Sequence, residues 1–363
     1  MTLHKHNSSQ KGIALIIVML IVVVFGILAG GLAYSMKVET KLARNSSWDT
    51  ELEWLGRSGI EYAKFLLTPC GGPAQPYDAL NQKWAGGTGE TNTCSEGMSL
   101  TDMRLGHGKF SVKIKDCDSK FNINLAVLTP EIVNQACILM GVDAAEAPQV
   151  VNAIVDWVDR DNAPRMGSSD TESDYYLTLQ PPYRAKNGPI DDLTEMMMIR
   201  GITPGMFYGS GGGAAMISRG IPVSNRFNRR SGEEPVYPLG FADLFTTISG
   251  RFINVNTASA EVLQLIPDVD GVLANAVIET RNGPDRAQGN EDDMPFRSIG
   301  EIRSVPGMTA EVAALFGKYF STRSSTFEVE VETEIDAVKR TYYAILRRTG
   351  NANQIVTLFM YWR

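Results

Sequence analysis

Histidine is almost missing from this chain: there are three in 363 residues, at His4, His6 and His107. Two of them precede the first apolar run, so a His-dependent catalytic triad or a multi-histidine metal site is nearly excluded. A positive balance is missing as well. The net charge is −7, which argues against a surface built to hold nucleic acid. Cysteine is scarce, confined to Cys70, Cys94, Cys117 and Cys137. In an exported chain an even set permits disulfides, with the pairing open among three connectivities. Cys70–Cys94 would staple a Gly/Pro/Asn-rich stretch that lacks hydrophobic periodicity, and Cys117–Cys137 would tie a strand end to a helix. Four unpaired thiols are the alternative.

Charge is also absent, completely, from Ile13 to Met36. At about 1.5 Å of rise per residue, a helix over this run exceeds the ~30 Å hydrocarbon core of a bilayer. A cleavable secretory peptide needs only roughly 7–15 apolar residues. Gly31-Leu32-Ala33 keeps that reading open, as a small-x-small cleavage site. The chain beyond this run is therefore expected to be a membrane-tethered ectodomain. Lys5 and Lys11 precede the span, and Lys37, Lys41 and Arg44 lie just past it, so charge alone leaves the orientation open.

Beyond the span, Trp48, Leu52, Leu55, Gly59, Tyr62 and Leu66 recur at alternating spacings of three and four. They form one apolar stripe on an emerging helix, which should pack on a sheet. Pro69 and Gly71-Gly72-Pro73 end it. Residues Lys109–Lys115 alternate, with Phe110, Val112 and Ile114 on one face. The same pattern returns only near the far end, where Phe327, Val329, Val331, Thr333 and Ile335 alternate with acids. Two more strand-like runs come after it, Arg340–Arg348 and Gln354–Trp362. The sheet-forming pieces thus flank a long middle, as in an α+β domain carrying a large insertion.

That middle repeats itself. Phe121-Asn122-Ile123-Asn124-Leu125 corresponds to Ile253-Asn254-Val255-Asn256-Thr257, and Glu131-Ile132-Val133 to Glu261-Val262-Leu263. Later, Leu193-Thr194-Glu195-Met196 precedes Gly201 as Ile299-Gly300-Glu301-Ile302 precedes Gly307, with six residues from Glu to Gly in each. Two related helical units with short hairpins are expected, joined by a Gly/Arg/Pro-rich linker over Gly209–Gly240. The Met196-Met197-Met198 run reads as helix packing.

The densest acidic constellation is Asp156, Asp159 and Asp161, then Asp170, Glu172 and Asp174. Carboxylates at a helix end and in an adjoining loop suit a hard cation, which takes oxygen ligands. It is not an EF-hand, because Ala163 and Pro164 stand where a ligand and Gly are required. On the residues alone, a solvated acidic loop is favoured over a metal site. A paired-carboxylate hydrolase would be the enzymatic competitor, but any acidic loop offers such pairs.

The leader Lys11-Gly12 followed by Ile13-Ala14-Leu15-Ile16-Ile17 resembles the N-terminus of type IV pilins and of type II secretion pseudopilins. The resemblance implies that a prepilin peptidase cuts between Gly12 and Ile13 on the cytoplasmic side and that Ile13 becomes the methylated terminus. It also implies a single-pass protein of the bacterial inner membrane with its bulk in the periplasm. Filament subunits of that kind usually carry Glu at mature position five. Here that residue is Ile17, an absence characteristic of the K-type minor pseudopilin found at the filament tip. Asp156-Trp157-Val158-Asp159-Arg160-Asp161, Pro181-Pro182-Tyr183-Arg184 and Asn254-Val255-Asn256-Thr257-Ala258 extend the likeness to the K-type family over nearly the whole chain.

The family fold this implies is α+β. A long N-terminal pseudopilin helix packs on an antiparallel sheet, and a large, mostly α-helical duplicated domain is inserted between strands. The expected segments are a leader over 1–12, the transmembrane and amphipathic helix over 13–68, and the first part of the sheet domain over 69–118. The inserted α-domain covers 119–325 and the C-terminal strands 326–363. The family also implies calcium in the acidic loop, with Asp159, Asp161, Glu172 and Asp174 as ligands and Asp170 in reserve. The function implied is that of a non-catalytic assembly subunit that initiates or caps the pseudopilus. It would bind other minor pseudopilins through its N-terminal helix, and no nucleic acid. Two alternatives stay open: a minor pilin of a type IV pilus, and a DNA-binding competence component. The second rests on the likeness of Asn254–Ala258 and Leu265-Ile266-Pro267 to helix-hairpin-helix modules. Against it, Asp268-Val269-Asp270-Gly271 stands where DNA-binding versions carry a Gly-x-Gly hairpin whose amides meet phosphate.

Overall fold

The uncharged run and the amphipathic stripe form one continuous helix, α1 (Lys11–Leu67). The computed structural model describes residues 11–68, 76–89, 97–125, 128–160, 173–209, 236–336, 338–349 and 354–362. Along the first half of α1 every described side chain from Ile13 to Leu42 is exposed. Farther on the stripe goes under cover: Leu52 and Leu55 are buried, with Trp48 and Tyr62 packed at the margin.

A five-stranded antiparallel sheet covers it, in the order β1–β2–β7–β8–β9. The strands are β1 (Met103–Leu105), β2 (Gly108–Asp116), β7 (Thr326–Ile335), β8 (Val338–Arg348) and β9 (Ile355–Trp362). The period-two pattern decides which face turns inward. Phe110, Val112, Ile114, Phe327, Val329 and Val331 face the helix, and Tyr342, Ala344 and Leu346 of β8 continue the layer. The glutamates between them look outward. The helix lies close to the sheet because it presents glycine. A Cβ on Gly56 would sit 2.5 Å from the Tyr342 ring, and one on Gly59 would overlap Val331. Trp84 stacks edge-on against Phe327 at 5.3 Å and closes the end of this core.

Strands β2 and β7 pair directly, from Lys109↔Glu334 to Asp116↔Phe327. The chain nevertheless leaves the sheet after Asp116 and returns only at Thr326. The intervening residues build their own apolar core, separate from the first. Its main elements are α2 (Pro130–Met140), α3 (Ala147–Val158), α4 (Ala260–Leu263), α5 (Gly271–Arg281) and α6 (Ala310–Tyr319). Two miniature parallel pairings frame them: β3 (Phe121–Asn122) with β4 (Phe245–Thr246), and β5 (Ile253–Asn254) with β6 (Phe320–Ser321).

The internal repeat is a structural one. The second Asn of each Asn-x-Asn motif clamps the backbone ahead of the following Glu block. Asn124 donates to the Ile190 carbonyl and accepts from the Ile190 amide, both at 2.8 Å. Asn256 does the same to Phe296, at 3.0 and 2.9 Å. In both units the block is a 3-10 helix, Leu193–Met198 and Ile299–Ser304. Each reaches a glycine in the left-handed region, Gly201 at φ 86° and Gly307 at φ 85°. The fixed Glu-to-Gly distance is the length of that turn, and the glycine is there because an L side chain strains at positive φ. Met196 is buried among the apolar residues of the first unit.

Where the cysteines are described, the structure takes the unpaired alternative. Cys117 and Cys137 are both free thiols. Cys137 sits on α2 inside the inserted core, whereas Cys117 belongs to the turn Cys117–Ser119 at the end of β2. They serve different parts of the fold, so no bridge joins them. Burial pushes the Cys137 thiol up to about 12, and that of Cys117 higher still, so both stay protonated. Cys70 and Cys94 lie outside the described residues, as do 210–235 of the expected linker.

Candidate functional site

Gly12 and Ile13 both lie within α1, and Ile13 is exposed. Ile17 and its neighbours are exposed on every side of the helix. A helix apolar all round finds no partner in its own fold and is long enough to cross a membrane. The acidic constellation is less complete. Asp159 is the residue that caps the C-terminus of α3, in extended conformation. Asp161, Asp170, Glu172 and the Asp174 side chain lie outside the described residues. Among the described residues no group of three or more His, Cys, Asp or Glu side chains is placed to hold a metal ion.

A second surface is the free margin of the sheet. Strand β9 pairs with β8 on one side and ends the sheet on the other. Its sequence, from Ile355 to Trp362, contains no charge and no proline, the two devices that usually blunt an exposed edge. Phe359, Tyr361 and Trp362 are all exposed. Tyr361 stacks on Tyr343 at 5.3 Å, and Arg340 lies 4.3 Å from the Trp362 ring. Arg340 also pairs with Asp49 of α1 at 2.7 Å, tying this margin to the helix.

Between the sheet and the inserted unit lies a buried polar junction whose members come from distant parts of the chain. The Asp116 carboxylate accepts from the hydroxyls of Thr257 (2.5 Å) and Ser324 (2.6 Å) and from the Asn254 amide (3.3 Å). Its other oxygen accepts from the Asp118 backbone. Asp118 in turn accepts from the amides of Gly250 and Ser325, both at 2.6 Å. Asn254 further donates to the Asp78 carbonyl at 2.9 Å and to Ser324 at 2.7 Å. Arg348 closes the network, forming a fork on Asp78 at 2.7 and 3.2 Å. Burial and the neighbouring Asp118 charge push the Asp116 carboxyl up to about 7, and burial raises Asp118 as well. The available signal was the Asp116-Cys117-Asp118-Ser119 run that breaks the alternation of β2. Its partners, some 130 to 210 positions away, were not visible locally.

The hairpin likened to DNA-binding modules is furnished differently from them. Asp270 caps α5 by accepting from the Leu273 amide at 2.8 Å. The chain's own carboxylate therefore takes a place that phosphate would take at such a helix start.

Residues 119–208 match the family model described as Type II secretion system (T2SS), protein K. Over 204 residues the chain is 26% identical to the type II secretion system protein K of Pseudomonas aeruginosa, which covers 53% of this chain and 57% of that protein. Over 214 residues it is 24% identical to the protein of the same name from Klebsiella pneumoniae, with 55% and 61% covered. The chain thus spans 57% to 61% of the length of these curated relatives. Its fold is similar to that of a chain in the crystal structure of the GspK-GspI-GspJ complex from the enterotoxigenic Escherichia coli type 2 secretion system. There the TM-score is 0.59 at 15% identity, covering 88% of this chain and 99% of that one.

Proposed function

We propose that this chain belongs with the K-type minor pseudopilins of type II secretion and, on that premise, is a non-catalytic assembly subunit at the tip of a pseudopilus. The observation that carries the proposal is the disproportion between its two ends. A helix exposed from Ile13 to Leu42 and uncharged to Met36 leads into a sheet domain, and a second core larger than the sheet's own is built between β2 and β7. A subunit stacking on top would meet that second core. Below, Ile17 puts an apolar side chain where filament subunits carry a carboxylate, so a buried terminal amine has no acid here to neutralise it. Both features suit a subunit that starts or ends a filament and bonds sideways and downward to other minor pseudopilins. The apolar helix and the uncharged β9 margin are the surfaces that fit such neighbours.

The same premise gives the processing and topology. Prepilin peptidase cuts after Gly12 on the cytoplasmic face, Ile13 is methylated, α1 crosses the inner membrane once and the bulk lies in the periplasm. One experiment tests the whole reading: mass spectrometry of membrane-extracted protein carrying single cysteines along Trp48–Leu67, after oxidation in cells. We expect a methylated terminus at Ile13 and cross-links to other pseudopilins. A terminus at Tyr34, or efficient self-cross-links running along a homopolymer, would overturn it.

Calcium belongs to this proposal too. Asp159, Asp161, Glu172 and Asp174 are all carboxylates, the hard oxygen donors that calcium takes. Asp159 stands at the C-terminal end of α3, where the helix carries partial negative charge. When bound, the ion would cross-link the end of α3 to the segment after it. Titration calorimetry of the full chain with calcium should give heat that weakens at least tenfold in Asp159→Ala; no heat at millimolar calcium removes the assignment.

A further inference from the structure

The assembly role leaves one feature of the inserted unit unused: a groove of about 670 Å³ running between its two repeats. That volume is of the size that holds a ligand. One wall is α2 and α3, contributing Glu131, Asn134, Gln135 and Asn152; the other is the hairpin Ile266–Asp270. The two walls share a property of sequence. Residues 122–159 contain no Lys, Arg or His, and neither do residues 252–280. The charges that line the groove are therefore Glu131, Asp268 and Asp270, all of one sign. A cleft walled by one sign of charge concentrates its field and attracts the opposite sign. The Glu131 carboxyl is held below the usual range by the Thr129 hydroxyl and its own helix start, so it is ionised at neutral pH.

Two further observations say what kind of cation fits. Asn134, Gln135 and Asn152 form no side-chain hydrogen bond to any described residue, and all three line the groove. Each carboxamide offers a donor and an acceptor, the pair that a peptide main chain also presents. Between them lie Pro130, Pro148 and Pro267, apolar surfaces without a backbone donor. The second observation is Asp268, which sits at φ 66°. A glycine would relieve that strain, and the related DNA-binding hairpins place glycine in this loop; this chain holds a carboxylate there at the cost of backbone strain.

We propose that this groove binds an extended, cationic segment of a partner polypeptide. Its main chain pairs with Asn134, Gln135 and Asn152, its apolar side chains lie on the proline-lined walls, and a Lys or Arg side chain reaches Asp268, Asp270 and Glu131. Phosphate-bearing partners are disfavoured by the same three carboxylates. The proposal goes beyond the tip role, and its failure would leave that role untouched.

The test is a displayed library of random 12-residue peptides, selected on the full chain in detergent micelles. The Asp268→Asn/Asp270→Asn double variant serves as the counter-target. Asn tolerates the left-handed region and caps a helix as well as Asp does, so the variant keeps its fold; circular dichroism and thermal unfolding check this. We expect enriched clones to carry Lys or Arg among alternating apolar residues. They should bind at least tenfold more weakly to the double variant and weaken with added salt. Clones without a basic bias, clones that bind the double variant equally, or a library with no enrichment over it would overturn the proposal. Enrichment that appears only when Arg219, Arg226, Arg229 and Arg230 are replaced by Ser would assign the groove to this chain's own basic residues and overturn it as well.

Discussion

Asp116 is the side chain through which the sheet and the inserted unit are most directly joined, and its protonation is a stability question. Four donors favour its charged form, while burial and the charge of Asp118 disfavour it, and the carboxyl is pushed up to about 7. A free aspartate titrates near about 3.9. Between these values the folded chain holds a proton that the unfolded chain has released. Stability therefore falls as pH rises from about 4 toward 7, with a slope approaching about 1.4 kcal/mol per pH unit for one proton. Asp116→Asn keeps the shape and removes the titration. Urea midpoints measured across this range should decline in the parent and flatten in the variant, leaving the contribution of Asp118, which burial also raises. Equal slopes in the two proteins would show that Asp116 is ionised in the fold. At this scale the sequence was legible where a side chain answers to its neighbours, as with Gly201 and Gly307 at the end of a turn. It was silent where the partner is remote, as with Asn254 and Thr257 on Asp116.

The elements arise from local periods. The three-and-four stripe from Trp48 to Leu66 and the alternation in β2 and β7 are physical consequences of helix and strand geometry, so residues alone placed them on the right faces. Strand β1 was missed because it is three residues long and carries no alternation. The seat of α1 on the sheet depends on a feature that periodicity does not carry, the absence of side chains at Gly56 and Gly59. Mid-helix Gly→Ala normally gains about 0.5–1 kcal/mol. At Gly56 the added methyl meets the buried Tyr342 ring, and overpacking of that kind costs about 1–3 kcal/mol. Gly56→Ala should therefore lower the unfolding temperature of the detergent-solubilised chain by several degrees, against the helix-propensity expectation. An unchanged or raised temperature would mean that the helix shifts freely on the sheet.

For the whole molecule, the consequential fact is that one chain builds two cores around one continuous sheet pairing. Because β2 and β7 are neighbours, the inserted unit begins and ends at the same place, beside Asp116 and Thr326. Asp78, Arg348 and Asn254 lock that place from three directions. The inserted unit is thus hydrogen-bonded to the sheet domain where the chain leaves and re-enters the sheet. That arrangement suits the proposed tip position, and the groove between the repeats lies wholly within the inserted unit.

The sequence by itself determined everything that repeats over a few residues: the uncharged span, the stripe of α1, the faces of the strands, the doubled Asn-x-Asn and Glu-to-Gly blocks, and through their order the resemblance to protein K. Those signals are local, because helix, strand and turn geometry act on near neighbours. Only the tertiary structure decided that Cys117 and Cys137 stay apart, that three acids and an arginine close a buried junction, that β9 ends the sheet among the described residues, and that two stretches without a basic residue face each other across one groove. Each of these depends on groups brought together from distant parts of the chain, and no period in the sequence encodes such a meeting.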